Sequence, residues 1–184
     1  MNEMQRIFWL KGHYVFVFSI LGVVMPYLSL FLERELGFSD AQIGWIQSEM
    51  TAGIMITPVL MTYLADRWLS NRSLLSILYL MSGTGLFLTT LVSGFSATVL
   101  AFTLFAFSFM ATIPVLNGLC LAELDESANT RKTRYHNVRI WGTFGFMVPA
   151  IILFFVFSDP EVSMVWALLL AVALAVLGVV TSRG

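Results

Sequence analysis

Charge is what this sequence lacks most. Of its 184 residues only 11% are Asp, Glu, Lys or Arg, whereas 58% are hydrophobic. A soluble domain of this size carries roughly twice that share of charge. The acidic and basic residues nearly cancel, at a net charge of -1, so no basic surface for nucleic acid is offered. Cysteine is nearly absent. Cys120 stands alone, which excludes an intramolecular disulfide and any multi-cysteine metal site. Two histidines, His13 and His136, are too few for a histidine-based metal cluster, and nothing in the chain calls for a cofactor. Catalytic signatures are missing as well: there is no HExxH, no pair of aspartates within an apolar segment and no serine–histidine set there. These absences argue against an intramembrane enzyme. The N-terminal apolar stretch contains Pro26 and runs into Glu33 and Glu35 without a small-residue cleavage site, unlike a signal peptide.

What is present is apolar residue in long runs, with 16 Phe and 10 Met and a mean hydropathy of +0.85. Six apolar segments can be read at about 12–32, 41–64, 74–92, 97–121, 138–157 and 164–181. Each has the length that carries a helix across a hydrocarbon core of ~30 Å. None shows the ten-residue alternation of a membrane barrel. The expected fold is therefore an all-α membrane protein of six transmembrane helices, residues 1–184 forming one bundle.

The polar breaks predict orientation. Arg6, Lys11, Arg67, Arg72, Arg131, Lys132, Arg134, Arg139 and Arg183 fall at alternate breaks, and only Arg34 falls on the other side. The positive-inside rule then places both termini in the cytoplasm of a multi-pass protein of the cell (inner) membrane. Prolines recur in matching places, Pro26 with Pro114 and Pro58 with Pro149, as a three-plus-three inverted repeat would produce. Proline is also simply common in membrane helices, which explains the pairing equally well.

Several residues stand out within this frame. In Arg139-Ile-Trp-Gly-Thr-Phe-Gly-Phe146, Arg139, Thr143 and Phe146 are spaced i, i+4, i+7 and share one helical stripe. A guanidinium, a hydroxyl and an aromatic face suit a polar solute with a flat ring. A carboxylate would suit Arg139 as well, through a bidentate pair. Alternatively Arg139 snorkels to the headgroups as one more cytoplasmic charge. Glu49 lies in an apolar segment beside Gln47, Ser48 and Thr51. A desolvated carboxylate there can take up a proton near neutrality, or it is an acid at the outer mouth touching only water. Asn117 can bond a solute or glue two helices, and Tyr27 can line a cavity. The glycines at 83, 85, 142 and 145 read as helix-packing positions. Asp66 and Arg67 suit a charge latch at the cytoplasmic mouth, or a solvated loop.

The run Leu64-Ala-Asp-Arg67 resembles the signature loop of the major facilitator superfamily, with Thr62 and Leu69 where that signature has glycine. Gly37-Phe-Ser-Asp-Ala-Gln-Ile-Gly-Trp45, Asp66-Arg-Trp-Leu-Ser70 and Arg139-Ile-Trp-Gly-Thr-Phe-Gly-Phe146 are similar to its nucleoside:proton symporter branch. Tyr135-His-Asn-Val-Arg-Ile-Trp-Gly142 looks like phenylpropionate-type permeases. The resemblance implies the N-terminal half of a twelve-span transporter for proton-coupled uptake, nucleosides first, aromatic acids or sugars next. It implies that Arg139, Thr143 and Phe146 contribute to the substrate site, with Asp66 and Arg67 in a gating loop. It also implies a second six-helix bundle as partner, from the rest of a longer chain or from another chain. A non-transporting six-span partner protein is the rival expectation.

Overall fold

The computed structural model describes residues 3–67, 70–124, 128–157 and 163–182, for 59–67 and 128–134 the backbone alone. It is all helix among these residues: α1 (Glu3–Arg34), α2 (Asp40–Arg67), α3 (Asn71–Leu91), α4 (Phe95–Glu123), α5 (Ala128–Val156) and α6 (Val165–Ser182). Five of the six are long and apolar enough to cross a membrane. The described part of α2 is not among them; Asp40, Gln42, Gln47, Ser48, Glu49 and Thr51 give it a polar N-terminal half. The helices overrun the apolar segments, most at α1 and α5, because helix geometry continues into the polar flanks while hydropathy does not.

Local chemistry sets the ends. Ser70 caps α3, its side chain accepting the Ser73 N–H. The chain leaves α1 through Gly37, whose φ of 65° is open to glycine and costly for residues with a Cβ. Its N–H bonds the Glu33 carbonyl, and the Phe38 N–H bonds that of Leu32. Glu35 then reaches across to the start of α6, accepting from Ser163 Oγ at 2.7 Å and from the Met164 N–H at 3.0 Å. A carboxylate at a helix N-terminus is also favoured by the helix dipole.

The helices pair α1 with α5 and α6, α3 with α4 and α6, and α2 with α4. Small residues set the close approaches. A Cβ placed on Gly145 would lie 2.6 Å from the Val15 carbonyl oxygen, and one on Gly142 would lie 2.7 Å from the Phe18 ring. Ser19 Oγ donates to the Gly145 carbonyl at 3.0 Å and Tyr27 Oη to that of Ala150 at 3.4 Å, so α1 and α5 run side by side in the same direction. Gly178 faces the Tyr79 ring across the α3–α6 seam, and Gly85 meets the Phe105 backbone across α3–α4. The four glycines expected at packing positions do pack: Gly83 on Ala175, Gly85 on Phe105, Gly142 on Phe18 and Gly145 on Val15. The core runs through α1, α3 and α4, where Tyr14, Phe31, Tyr79, Phe102, Phe105 and Phe109 are fully buried.

Candidate functional site

Close α1–α5 packing leaves a cleft of about 490 Å³ between the two helices, lined by Phe18, Leu21, His136, Arg139, Ile140, Thr143 and Phe146. That is a volume suited to a small organic ligand. Gly142, buried against Phe18, lets the α5 stripe stand beside α1 without filling the cleft. The three residues that share the helical stripe all line it. Arg139 and Thr143 are exposed in this chain, and Phe146 is 37% exposed. Among the described residues no carboxylate pairs with Arg139. Phe18, Leu21, His136 and Ile140 complete the lining, and the sequence pattern does not single them out. Phe18 and Leu21 look like ordinary apolar span residues, and only their place opposite α5 brings them in.

The other expected residues are placed differently. Asn117, half-buried on α4, joins three helices: its Oδ1 accepts from Tyr14 Oη of α1 at 2.7 Å and from Tyr135 Oη of α5 at 3.2 Å. Tyr27 is buried in the α1–α5 seam, stacked at a tilt on Phe157 with ring centroids 5.3 Å apart. Glu49 accepts from Thr103 Oγ1 of α4 at 3.0 Å. Gln47, Ser48 and Thr51 line a second cleft of about 410 Å³ with Met25, Leu28, Met50, Ile54 and Met110, and Glu49 is not part of that lining. Two residues along a helix is a turn of about 200°, which sets Glu49 on the face opposite Gln47. The side chains of Asp66 and Arg67 lie outside the described residues. Nearby, Arg72 bonds Glu123 at 2.8 Å and lies 5.0 Å above the Trp9 ring, while Arg6 reaches the other Glu123 oxygen at 3.5 Å. This knot of α1, α3 and α4 has no local sequence signal, because Arg6, Arg72 and Glu123 are far apart along the chain.

The sequence matches the profile of the MFS_1 like family over residues 7–183. The chain belongs to the MFS_1 like family. It is similar to nucleoside permease NupG of Escherichia coli (strain K12), 27% identical over 131 residues, which are 71% of this chain and 31% of that protein. Xanthosine permease of the same organism is 25% identical over 131 residues, 71% of this chain and 31% of its own length. The crystal structure of nucleoside transporter NupG superposes with a TM-score of 0.85 at 25% identity, over 100% of this chain and 44% of that one. This member of the MFS_1 like family thus spans under half the length of the relatives it matches. It is a multi-pass membrane protein with the fold of one major facilitator bundle.

Proposed function

We propose that this bundle forms one wall of a secondary transporter that takes up a small polar organic solute, nucleosides first, by alternating access. The observation that carries the reading is the gathering of Arg139, Thr143 and Phe146 in one open cleft beside α1. An arginine within a membrane helix costs on the order of 2.5–3.5 kcal/mol at mid-membrane, less near the interface, so its persistence there favours a polar ligand. Its fork of donors, a hydroxyl and a ring face suit a ribose or base oxygen together with a flat base. The permeases and the nucleoside transporter among the relatives support the same choice. An aromatic acid is the second reading, favoured by the lack of a described carboxylate opposite Arg139.

The pairings of α1 with α5 and of α4 with α2 exchange under a swap of the first three helices for the last three, in keeping with an inverted repeat. A second six-helix bundle would close the cleft, with both termini cytoplasmic and the cell's inner membrane around it. Uptake would be proton-coupled, with Glu49 as the coupling acid of this half and Asp66 and Arg67 in the cytoplasmic gating loop. The test is uptake of labelled uridine by cells expressing the gene, with Arg139→Ala as the comparison. Loss of uptake at unchanged membrane abundance is the expected result; undiminished uptake sinks the assignment of the cleft.

A further inference from the structure

We infer that Phe18 is the platform on which the flat ring of the solute lies, that Gly142 sets its pose, and that the cleft selects solutes with a planar unsaturated ring. The inference rests on the solute-site reading of the cleft and names the feature of the solute that α1 reads. Phe18 reaches the cleft from α1 and lines it together with Arg139, Thr143 and Phe146 of α5. Its ring lies against the α5 backbone at Gly142. A Cβ added there would be 2.7 Å from Cδ2 and 3.1 Å from each of that atom's ring neighbours, Cγ and Cε2. Two equal and only slightly longer distances put the Cβ above the ring, since from its edge both neighbours would be much farther off. One face of Phe18 is thus turned to Gly142, and no methyl group fits between them.

The surroundings hold that pose. Tyr14 precedes Phe18 by one turn of α1, and its ring runs nearly parallel, at 17°, with centroids 6.3 Å apart. Tyr14 is 1% exposed, so the neighbour that steadies Phe18 is itself fixed in the core. Gly145 against the Val15 backbone, and Gly22 against the Phe146 carbonyl, set the spacing of α1 and α5 on either side of the contact. Phe18 remains half-buried, and its accessible part lines the cleft. A ring held in this way loses little freedom when a ligand settles on it. An aromatic face attracts a flat π-system whatever polar groups that system carries. A saturated ring is puckered, has no π-face and gains only part of the contact. Arg139 and Thr143 are left for the oxygens of the solute, so its ring and its polar groups are read from different helices. A sugar alone would satisfy α5 and leave the platform bare.

Uridine and dihydrouridine carry the same ribose and the same carbonyl oxygens, and differ in whether the base ring is flat. The experiment is competition of labelled uridine uptake by unlabelled uridine and by dihydrouridine, in cells expressing the full chain at matched membrane abundance. Wild type is expected to favour uridine about fivefold. Phe18→Leu keeps an apolar side chain and loses the ring face, so the preference should fall toward parity, whereas Phe18→Tyr should retain it. Gly142→Ala sets a methyl group on the ring. It should lower the preference by itself and add nothing in Phe18→Leu, because the two residues act through one contact. If Gly142→Ala fails to reach the membrane, the two Phe18 variants decide alone. Equal competition by both compounds in wild type overturns the inference and leaves the transport reading standing. So does a preference that survives in Phe18→Leu, including one where affinity for both compounds falls by the same factor, as a merely structural role would give. No uridine uptake by wild type overturns the nucleoside reading itself, and the inference with it.

Discussion

The hydroxyl of Thr103 donates to a carboxylate oxygen of Glu49 at 3.0 Å and joins α4 to the N-terminal half of α2. The bond stands beside a glycine contact: a Cβ on Gly53, one turn further along α2, would lie 3.1 Å from the Ala106 carbonyl oxygen. The acid is thus seated on a helix seam, while its polar neighbours Gln47, Ser48 and Thr51 line the adjacent cleft.

Glu49→Gln can still accept from Thr103 through its amide oxygen, so the bundle should lose no more than about 1 kcal/mol. Thermal unfolding of detergent-purified protein checks this part. If Glu49 is the coupling acid, the same substitution should abolish the stimulation of uptake by an inward proton gradient. Gradient-stimulated uptake that survives in Glu49→Gln would remove this residue from coupling.

Arg139→Lys keeps the charge and loses the planar fork. Solute affinity should drop by about tenfold, equivalent to ~1.4 kcal/mol, if the guanidinium makes paired hydrogen bonds in the cleft. A snorkelling arginine predicts no change, since an ammonium reaches the headgroups as well. The dependence of uptake on uridine concentration separates the two.

Gly145→Leu should destabilise the bundle by about 1–3 kcal/mol or more, because the added side chain meets the Val15 backbone and not a movable side chain. The Ser19 bond to the Gly145 carbonyl would be strained by the same displacement. Gly118, with nothing within 4 Å of an added Cβ, should accept alanine with little loss. Melting temperatures of the two variants compare the sites directly.

Glu123→Gln removes the charge that holds Arg72 and Arg6 from two other helices. The side chains are partly exposed, so the loss in global stability should stay near 1 kcal/mol. The local effect should be larger in kind: faster hydrogen exchange in the first turns of α3. Exchange unchanged there would mean that the Ser70 cap and apolar packing hold that end without the ion pairs.

The stripe on α5 is legible in the sequence, because a helical period places Arg139, Thr143 and Phe146 on one side whatever they face. The medium is legible too: a chain with this little charge and these long apolar runs has few ways to stay in water. Asn117 and Tyr27 are visible as polar groups in apolar segments, but their partners are not. Tyr14 and Tyr135 are separated by most of the chain and meet at Asn117 only because α1, α4 and α5 converge.

By itself, then, the sequence determined an all-helical membrane bundle and the stripe of the candidate site, since both follow from local period and composition. The tertiary structure alone decided the rest: that Phe18 and Leu21 complete the cleft, that Glu49 turns to Thr103, and that Asn117 has its oxygen taken by two phenols. The physical reason is that a hydrogen bond or a close backbone approach between helices depends on which faces meet, and in lipid that choice is made by small residues and polar pairs far apart in the chain.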